Sequence, residues 1–580
     1  MYIIGINAFH PDSSACIIED GTLLHAVEEE RFTRIKHWSG FPINSIRFCL
    51  SEANIKLSDI KYIAINRDSK ANFHKKILHF LRYRPEIKLL LQRFTFRKKI
   101  INIANILRDE FGNDNFSGKI INVEHHLAHL SSAFNPSPFQ TACVLSVDGF
   151  GDFASTAWGF AENDKISVDK KIFFPHSLGI FYESLTQFLG FNNYGDEYKV
   201  MGLAPYGKPI YLEKLKQILI LKKDGTFELN LDYFTFHKKK QDYNWENNEV
   251  KNAYLLSDKI NNLLGMPRKK SEAINDFHKD LASSVQTLYE KALFNLLNKI
   301  FKKYKNKNLC IAGGCGMNSV ANGKITENTP FENIHIHPAA GDAGGAIGAA
   351  YYVWNNKLGK KRKFILKHSS WGSSFDNELI KKEIENHKEL FFNNNCDIIF
   401  SKDSDITKII AKKISEGKVI GWFQGKMEWG SRALGNRSII ADPRNPNMKE
   451  LLNIKIKKRE SFRPFAPSIL REHVKNWFEK NDDVQFMMKV FKIKEEKKKL
   501  IPAVTHVDGT GRLQTVDSEQ NSKYYKLILE FYNLTNIPII LNTSFNENEP
   551  IIRTPKEAID CFLRTNMDLL AIENYIIERK

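Results

Sequence analysis

Residues 2–28 read YIIGINAFHPDSSACIIEDGTLLHAVE, three apolar runs parted by the polar turns HPDSS (10–14) and EDG (19–21). Short apolar runs bounded by Asp, Gly, Pro and Ser are the pattern of strands joined by tight turns, and they predict strands over 2–9, 15–18 and 22–28. The pattern returns at TACVLSVDGFGDFASTAWGFAENDKISVDKKIFF (141–174). There a near-continuous apolar strand (141–150) enters an acidic, Gly-rich turn from Asp148 to Asp152, and strands over 154–164 and 165–174 follow. Two Asp/Gly-turned meanders with helical segments between them predict a duplicated α/β domain. A further strand, LCIAGG (309–314), and a small-residue helix opened by HPAAGDAGG (337–345) extend it.

Past Trp354 the chain turns basic and turn-rich, NNKLGKKRKFILKHSSWGSS (355–374), which predicts a domain boundary there. An amphipathic helix near 376–390 and a strand at VIGWFQG (419–425) open the second domain. The composition, 42% hydrophobic and 26% charged over 580 residues, excludes a disordered chain or a fibre and leaves room for two or three domains. No run approaches the roughly 18 apolar residues of a membrane helix, so no membrane partner is expected. The amino terminus has no basic region and meets Asp12 early, unlike a secretory leader. Seven cysteines without a CxxC pair predict a reducing, cytoplasmic setting. The 85 basic residues against 67 acidic give +18, spread through mixed runs such as KIKEEKKK (492–499). That reads as a solvated, lysine-rich surface and leaves an anionic substrate or a polyanionic partner open.

In VEHHLAHLSSAF (123–134), His125 and His129 stand four apart, so on a helix both imidazoles leave one face and can share a cation. Histidines so spaced are also common as buried polar residues of Ala/Leu-rich helices. Asp148 at a strand end and Asp342 at the mouth of the Gly-rich helix are placed where loops converge, and add the carboxylates that iron, zinc or manganese would want. Gly313, Gly314 and Asn318 read either as a close-approach loop or as packing glycines and a helix cap. The second half offers Arg432, Arg437, Lys457, Arg459, Arg463 and Arg512 among small or apolar residues, with Ser431, Ser438 and Ser544 nearby. Cations in such settings suit phosphate, carboxylate or carbamate oxygens, the alternatives being surface arginines and internal salt bridges.

The segments GINAFHPDSSA, EEERFTRIKH, VEHHLAHLSSAF, LSVDGFGD, YKVMGLAPYG, AGGCGMNSVANG, HPAAGDAGGAIGAA, WGSRALGNRSI, KIKKRESFRPFAPS, GRLQTV and ILNTSFN resemble, in family order, the ATP-dependent O-carbamoyltransferases of the nodulation-factor and antibiotic-tailoring type. The chain departs from the commoner GGVALN form at Cys315 and Gly316 but keeps Gly313, Gly314 and Asn318. The resemblance implies a duplicated actin-like carbamoyl-transfer domain over 1–360, carrying a metal site, and a YrdC-like, carbamoyl-adenylate-forming α/β domain over 361–580. It implies ferrous iron on His125, His129, Asp148 and Asp342, with zinc or manganese also suited to that donor set. It implies His10 as general base with Lys36 nearby, and Gly313, Gly314, Asn318, Arg432, Lys457, Arg463, Arg512 and Ser544 around nucleotide and carbamoyl groups. Carbamoyl phosphate and ATP, with magnesium accompanying the nucleotide, are the implied substrates. The acceptor is a hydroxylated small molecule, antibiotic or saccharide, a nucleoside in nucleic acid being the less favoured choice. An actin-like sugar kinase and a nucleotide-gated binding protein are the alternatives.

Overall fold

The computed structural model describes residues 1–83, 103–112, 114, 116–238 and 253–580. These form two compact units, the first Met1–Asn318 with Ile325–Leu366 and the second Ser319–Lys324 with Lys367–Lys580.

The first unit holds two five-stranded sheets of one topology. β1 (Tyr2–Asn7), β2 (Ser14–Glu19) and β3 (Thr22–Glu28) make an antiparallel meander, and β4 (Ile60–Ile65) and β5 (Lys119–Asn122) add in parallel beside β1, giving the order β3-β2-β1-β4-β5. β6 (Thr141–Gly151), β7 (Ala154–Glu162) and β8 (Lys165–Phe173) repeat the meander. After a small hairpin of β9 (Leu219–Leu221) and β10 (Phe227–Leu229), β11 (Asn308–Ala312) and β12 (Asn333–Ile336) add in parallel, giving β12-β11-β6-β7-β8. The first meander spans the predicted strands to within three residues, because each apolar run ends on a residue able to turn; Asp20 and Gly21 take φ of 46° and 85°. The duplicated actin-like architecture expected from the sequence is this pair of sheets.

Each repeat ends in a helix after its fifth strand, His125–Phe134 in one and Gly344–Tyr351 in the other. The two helices pack on each other, and the second also packs on β1 and β2. A Cβ added at Gly348 would lie 1.8 Å from the carbonyl oxygen of Ala128, so only glycine allows this approach. The crossing brings the first turn of one helix and the entry loop of the other to one point.

The second unit is a mixed α/β unit on a nine-stranded sheet. Its strands are β13 (Cys396–Phe400), β14 (Ile420–Phe423), β15 (Arg437–Ala441), β16 (Ala466–Leu470), β17 (Lys489–Lys492), β18 (Thr510–Val516), β19 (Ile539–Ser544), β20 (Leu569–Ile572) and β21 (Tyr575–Arg579). Their order is β13-β21-β20-β14-β15-β19-β16-β18-β17. The apolar faces of Asp403–Ser415, Ser522–Thr535 and Pro555–Arg564 complete its core against strands such as β14 and β20, all four residues of which are buried. The amphipathic pattern predicted near 376–390 forms two helices, Asn377–Asn386 and Lys388–Asn393, broken at His387.

Candidate functional site

The helix His125–Phe134 is capped by Glu124, whose side chain accepts from the Leu127 N–H, and its first turn points His125 and His129 to one side. His126 leaves another face, bonds the Ser146 hydroxyl at 2.9 Å, and burial lowers its pKa to about 4. Asp148, near the end of β6, and Asp342, before the second helix, complete the group. The ligand atoms of His125, His129, Asp148 and Asp342 lie within 4.8 Å of one another, and all four residues are buried.

Asp148 Oδ2 stands 2.9 Å from His125 Nε2 and 3.3 Å from His129 Nε2, and the two Nε2 atoms face each other at 3.0 Å. Burial alone would raise the Asp148 carboxyl, but the hydrogen bonds from the two imidazoles outweigh it and hold the pKa well below the usual range. Burial would likewise lower His129, and contact with the two carboxylates lifts it instead to about 9. Asp342 Oδ1 is buried with no hydrogen-bond donor in line. Two imidazole nitrogens turned on each other, two carboxylates and one orphaned oxygen are a donor set a borderline divalent cation satisfies and protons do not.

His10, in the turn after β1, joins from the side. Its Nδ1 bonds Asp342 Oδ2 at 2.6 Å, and its ring centre is 5.2 Å from that of His125. Asp342 thus turns one oxygen to the four-residue group and the other to His10. Lys36 is exposed, close enough to Glu30 and His37 for its charge to act on both. His37, which the sequence did not single out, bonds Asp12 through Nδ1 at 2.7 Å. Burial would lower His37, and the Asp12 charge and hydrogen bond raise it to about 9. The backbone here is strained: Phe9, Asp12, Arg34, His37, Asp152 and Phe153 all have positive φ, from 46° to 73°. Asp152 joins the turn to the helix, its Oδ2 accepting from the His125 N–H at 2.9 Å.

Gly313, Gly314 and Asn318 do local work. Gly313 has φ 89°, and a Cβ there would meet the Val147 carbonyl oxygen at 2.1 Å. The Gly314 N–H donates to Asp148 Oδ1 at 2.9 Å and so aims the other carboxylate oxygen at the histidines. Asn318 exchanges two 3.0 Å hydrogen bonds with the Gln286 amide. Glu183 and Glu197 also escaped the sequence reading; burial, and for Glu183 the neighbouring Glu197 charge, raise both carboxyls. A lone acid inside the apolar run GIFYESLTQFLGF (179–191) was the available signal.

In the second unit the cations divide into two kinds. Burial, then the charges of Arg432, Arg459 and Arg463, depress Arg512 well below an ordinary arginine. Four guanidinium groups therefore share one field. Arg463 also bonds Glu460 at 3.3 Å and Arg459 bonds Asn453 at 2.7 Å. Such a cluster is costly to assemble and is relieved by an anion. Arg437 and Lys457 are of the other kind. Arg437, fully buried, donates to the carbonyls of Gln424, Asn436 and Ser373 and lies 3.6 Å over the Phe423 ring. Its expected part among the anion-holding cations gives way to a structural one, since its guanidinium is turned to backbone carbonyls. Lys457, 1% exposed, donates to Ser544 O, Asn546 O and Asn546 Oδ1, while Ser544 Oγ donates to Asn546 Oδ1 at 2.9 Å. Lys457 pins the end of β19, where Ser544 stands, and the turn at Asn546. Ser438 accepts from the Gly435 N–H and is buried.

Sequence comparison matches residues 2–351 to the family model described as carbamoyltransferase N-terminus and residues 411–579 to that described as carbamoyltransferase C-terminus. The chain belongs to the carbamoyltransferase family. It is 36% identical to nodulation protein NolNO of Sinorhizobium fredii, covering 99% of this chain and 80% of that one. It is 37% identical to nodulation protein NolO of Bradyrhizobium diazoefficiens, covering 79% of each. A Synechocystis protein, sll1178, is 38% identical over all of this chain and 97% of its own. Among solved structures, T.kodakarensis HypF aligns at a TM-score of 0.31 and 12% identity, over 62% of this chain and 48% of that one, too distant to add to the argument. As a carbamoyltransferase, the chain is an enzyme that moves a carbamoyl group. No helix among the described residues is long and apolar enough to cross a membrane.

Proposed function

We propose that this carbamoyltransferase makes carbamoyl-adenylate from carbamoyl phosphate and ATP in its second, YrdC-like unit and passes the carbamoyl group to an acceptor hydroxyl in its first. The observation that carries the reading is the junction at Asp342, where a cation-ready group of two histidines and two aspartates shares a carboxylate with His10. In the transfer step the acceptor oxygen bonds the carbamoyl carbon, the bond from that carbon to the adenylate oxygen breaks, and AMP leaves. The hydroxyl proton goes to His10 Nε2, the nitrogen left over once Nδ1 is tied to Asp342. Asp342 fixes the ring and stabilises the imidazolium that forms. His125, His129, Asp148 and Asp342 would hold the metal, iron by family resemblance, which when bound supplies Lewis acidity and a fixed point for orienting oxygens.

The cluster of Arg432, Arg459, Arg463 and Arg512 serves activation: charge on phosphoryl and carbamate oxygens is what its mutual repulsion is relieved by. Lys457 keeps Ser544 and Asn546 in place beside that chemistry. The acceptor is a hydroxylated small molecule or saccharide.

The test is pyrophosphate release by the purified protein with ATP, with and without carbamoyl phosphate, under reducing conditions with ferrous iron. Strict dependence on carbamoyl phosphate is expected. Release of ADP, or turnover indifferent to carbamoyl phosphate, overturns the adenylate route. A His125→Ala protein should keep carbamoyl-phosphate-dependent pyrophosphate release and lose carbamoylated product, whereas Arg463→Ala should lose the release itself. Loss of both activities in a folded His125→Ala protein would refute the division of labour.

A further inference from the structure

Of the four residues in the cation-ready group, His125 is the one whose main chain its own helix does not hold. It is the first residue of the helix His125–Phe134, and the leading N–H groups of a helix have no partner within it. His129 stands one turn further in, where bonds from residue i to i−4 fix the backbone. The cap Glu124 serves the Leu127 N–H, not that of His125. The partner for His125 comes from the other repeat, where Asp152 Oδ2 accepts its N–H at 2.9 Å.

The same turn reaches the imidazole. Gly151 lies flush against the ring: a Cβ there would fall 2.0 Å from His125 Cγ and Cδ2 and 2.6 Å from Nδ1, so any side chain at 151 would push the ring aside. Gly151 thus bounds the ring and Asp152 holds the main chain, and both follow the ligand Asp148 within four residues. The turn is itself braced by the segment after β4. Asp152 Oδ2 also accepts from the Asp68 N–H at 2.7 Å, and the Asn72 side chain donates to the Asp152 carbonyl at 2.8 Å. Asp152 and Phe153 take φ of 46° and 73°, a left-handed pair that non-glycine residues keep only where their surroundings impose it.

We propose that Asp152 is a positioning residue for the metal, holding the first turn of the helix so that His125 Nε2 meets the same point as Asp148 Oδ2 and His129 Nε2. It touches no reacting atom and acts through His125, as outer partners of metal-bound histidines do. The role asks for an acceptor oxygen and not for a charge. It rests on the reading of His125, His129, Asp148 and Asp342 as metal ligands, and adds to them a residue outside the set.

The probe is cobaltous ion, titrated into the full-length protein stripped with a chelator. Binding is read by calorimetry and by the visible absorption of the bound ion, with melting temperatures taken in chelator. The wild type should bind one ion per chain. Asp152→Ala should weaken the affinity by about tenfold to a hundredfold and alter the absorption bands, because the histidine is free to tilt. Asp152→Asn, which can keep an oxygen at the Oδ2 position, should recover most of the loss. Gly151→Ala should lose more than Asp152→Ala, since its methyl group meets the ring directly. Carbamoyl-phosphate-dependent pyrophosphate release should be the same in the Asp152 variants as in the wild type. An Asp152→Ala protein that melts lower in chelator but binds cobalt with wild-type affinity and spectrum overturns the proposal, since its carboxylate would then be a helix cap alone. An Asp152→Asn protein as weak as Asp152→Ala overturns the acceptor role. No cobalt bound by the wild type overturns the metal reading itself, and this proposal with it.

Discussion

The two charged centres of this molecule are opposites in construction. In the first unit, imidazoles and carboxylates meet as mutual partners, so that Asp148 is held ionised by the histidines against it. In the second, like charges are gathered: Arg512 is half-buried in the field of three other arginines, and desolvation together with their charges loosens its proton. The first arrangement stores attraction and waits for a cation; the second stores repulsion and waits for an anion. The difference teaches which centre contributes to folding. A self-compensated group can coexist with stability, whereas a cluster of arginines is kept at the expense of stability for what it binds.

The sharpest way to break the comparison is Arg512→Met, which keeps volume and removes one of the crowded charges. Pyrophosphate release should fall by about two to three orders of magnitude while the melting temperature stays level or rises by about 2 °C. Loss of both activity and stability would mean that Arg512 is a structural cation like Arg437. Next in size is His10→Ala, which should lower product formation about a hundredfold and leave pyrophosphate release and bound metal unchanged. Partial rescue by added imidazole would mark the lost group as a base; metal lost along with activity would recast His10 as a support for Asp342.

Within the second unit, Lys457→Met should destabilise by about 2–3 kcal/mol, because the Ser544 and Asn546 oxygens lose a buried charged donor. Denaturant unfolding followed by tryptophan fluorescence reads this, and a change under about 0.5 kcal/mol would show those oxygens finding other partners. The smallest effect sharpens the first unit. His37 has a pKa raised to about 9 by Asp12, so its pairing stabilises fully below its unfolded value of about 6.5 and the benefit is lost as pH rises through 9. His37→Gln should cost about 1 kcal/mol at pH 6, the figure being reduced because the pair is a third exposed, and nothing above about pH 10. A cost that does not change with pH would mean packing against Tyr194, not charge, is what His37 supplies.

Much of the first unit was legible because its signals are short-range. Acidic turns end apolar runs, so β1–β3 and β6–β8 stand within a few residues of their expected bounds, and a four-residue spacing on a helix puts His125 and His129 on one side whatever surrounds them. Asp148 and Asp342 could be placed because loops at strand ends converge in such sheets. What the sequence hides is direction. Arg437 and Arg512 stand in similar small-residue contexts, and nothing in either context says that one guanidinium faces carbonyl oxygens and the other lies in the field of more arginines. The helix Phe73–Tyr83 is the same lesson reversed: its periodicity is plain, but the side that meets the protein is the polar one.

The crossing of the two terminal helices has a consequence for descent. His125 and His129 stand on the last helix of the first repeat, Asp148 on the first strand of the second, and Asp342 at the entry to the last helix of the second. No single repeat owns the centre. An ancestral half carrying only one repeat's present share of these residues would have held the two histidines or the two aspartates, not all four.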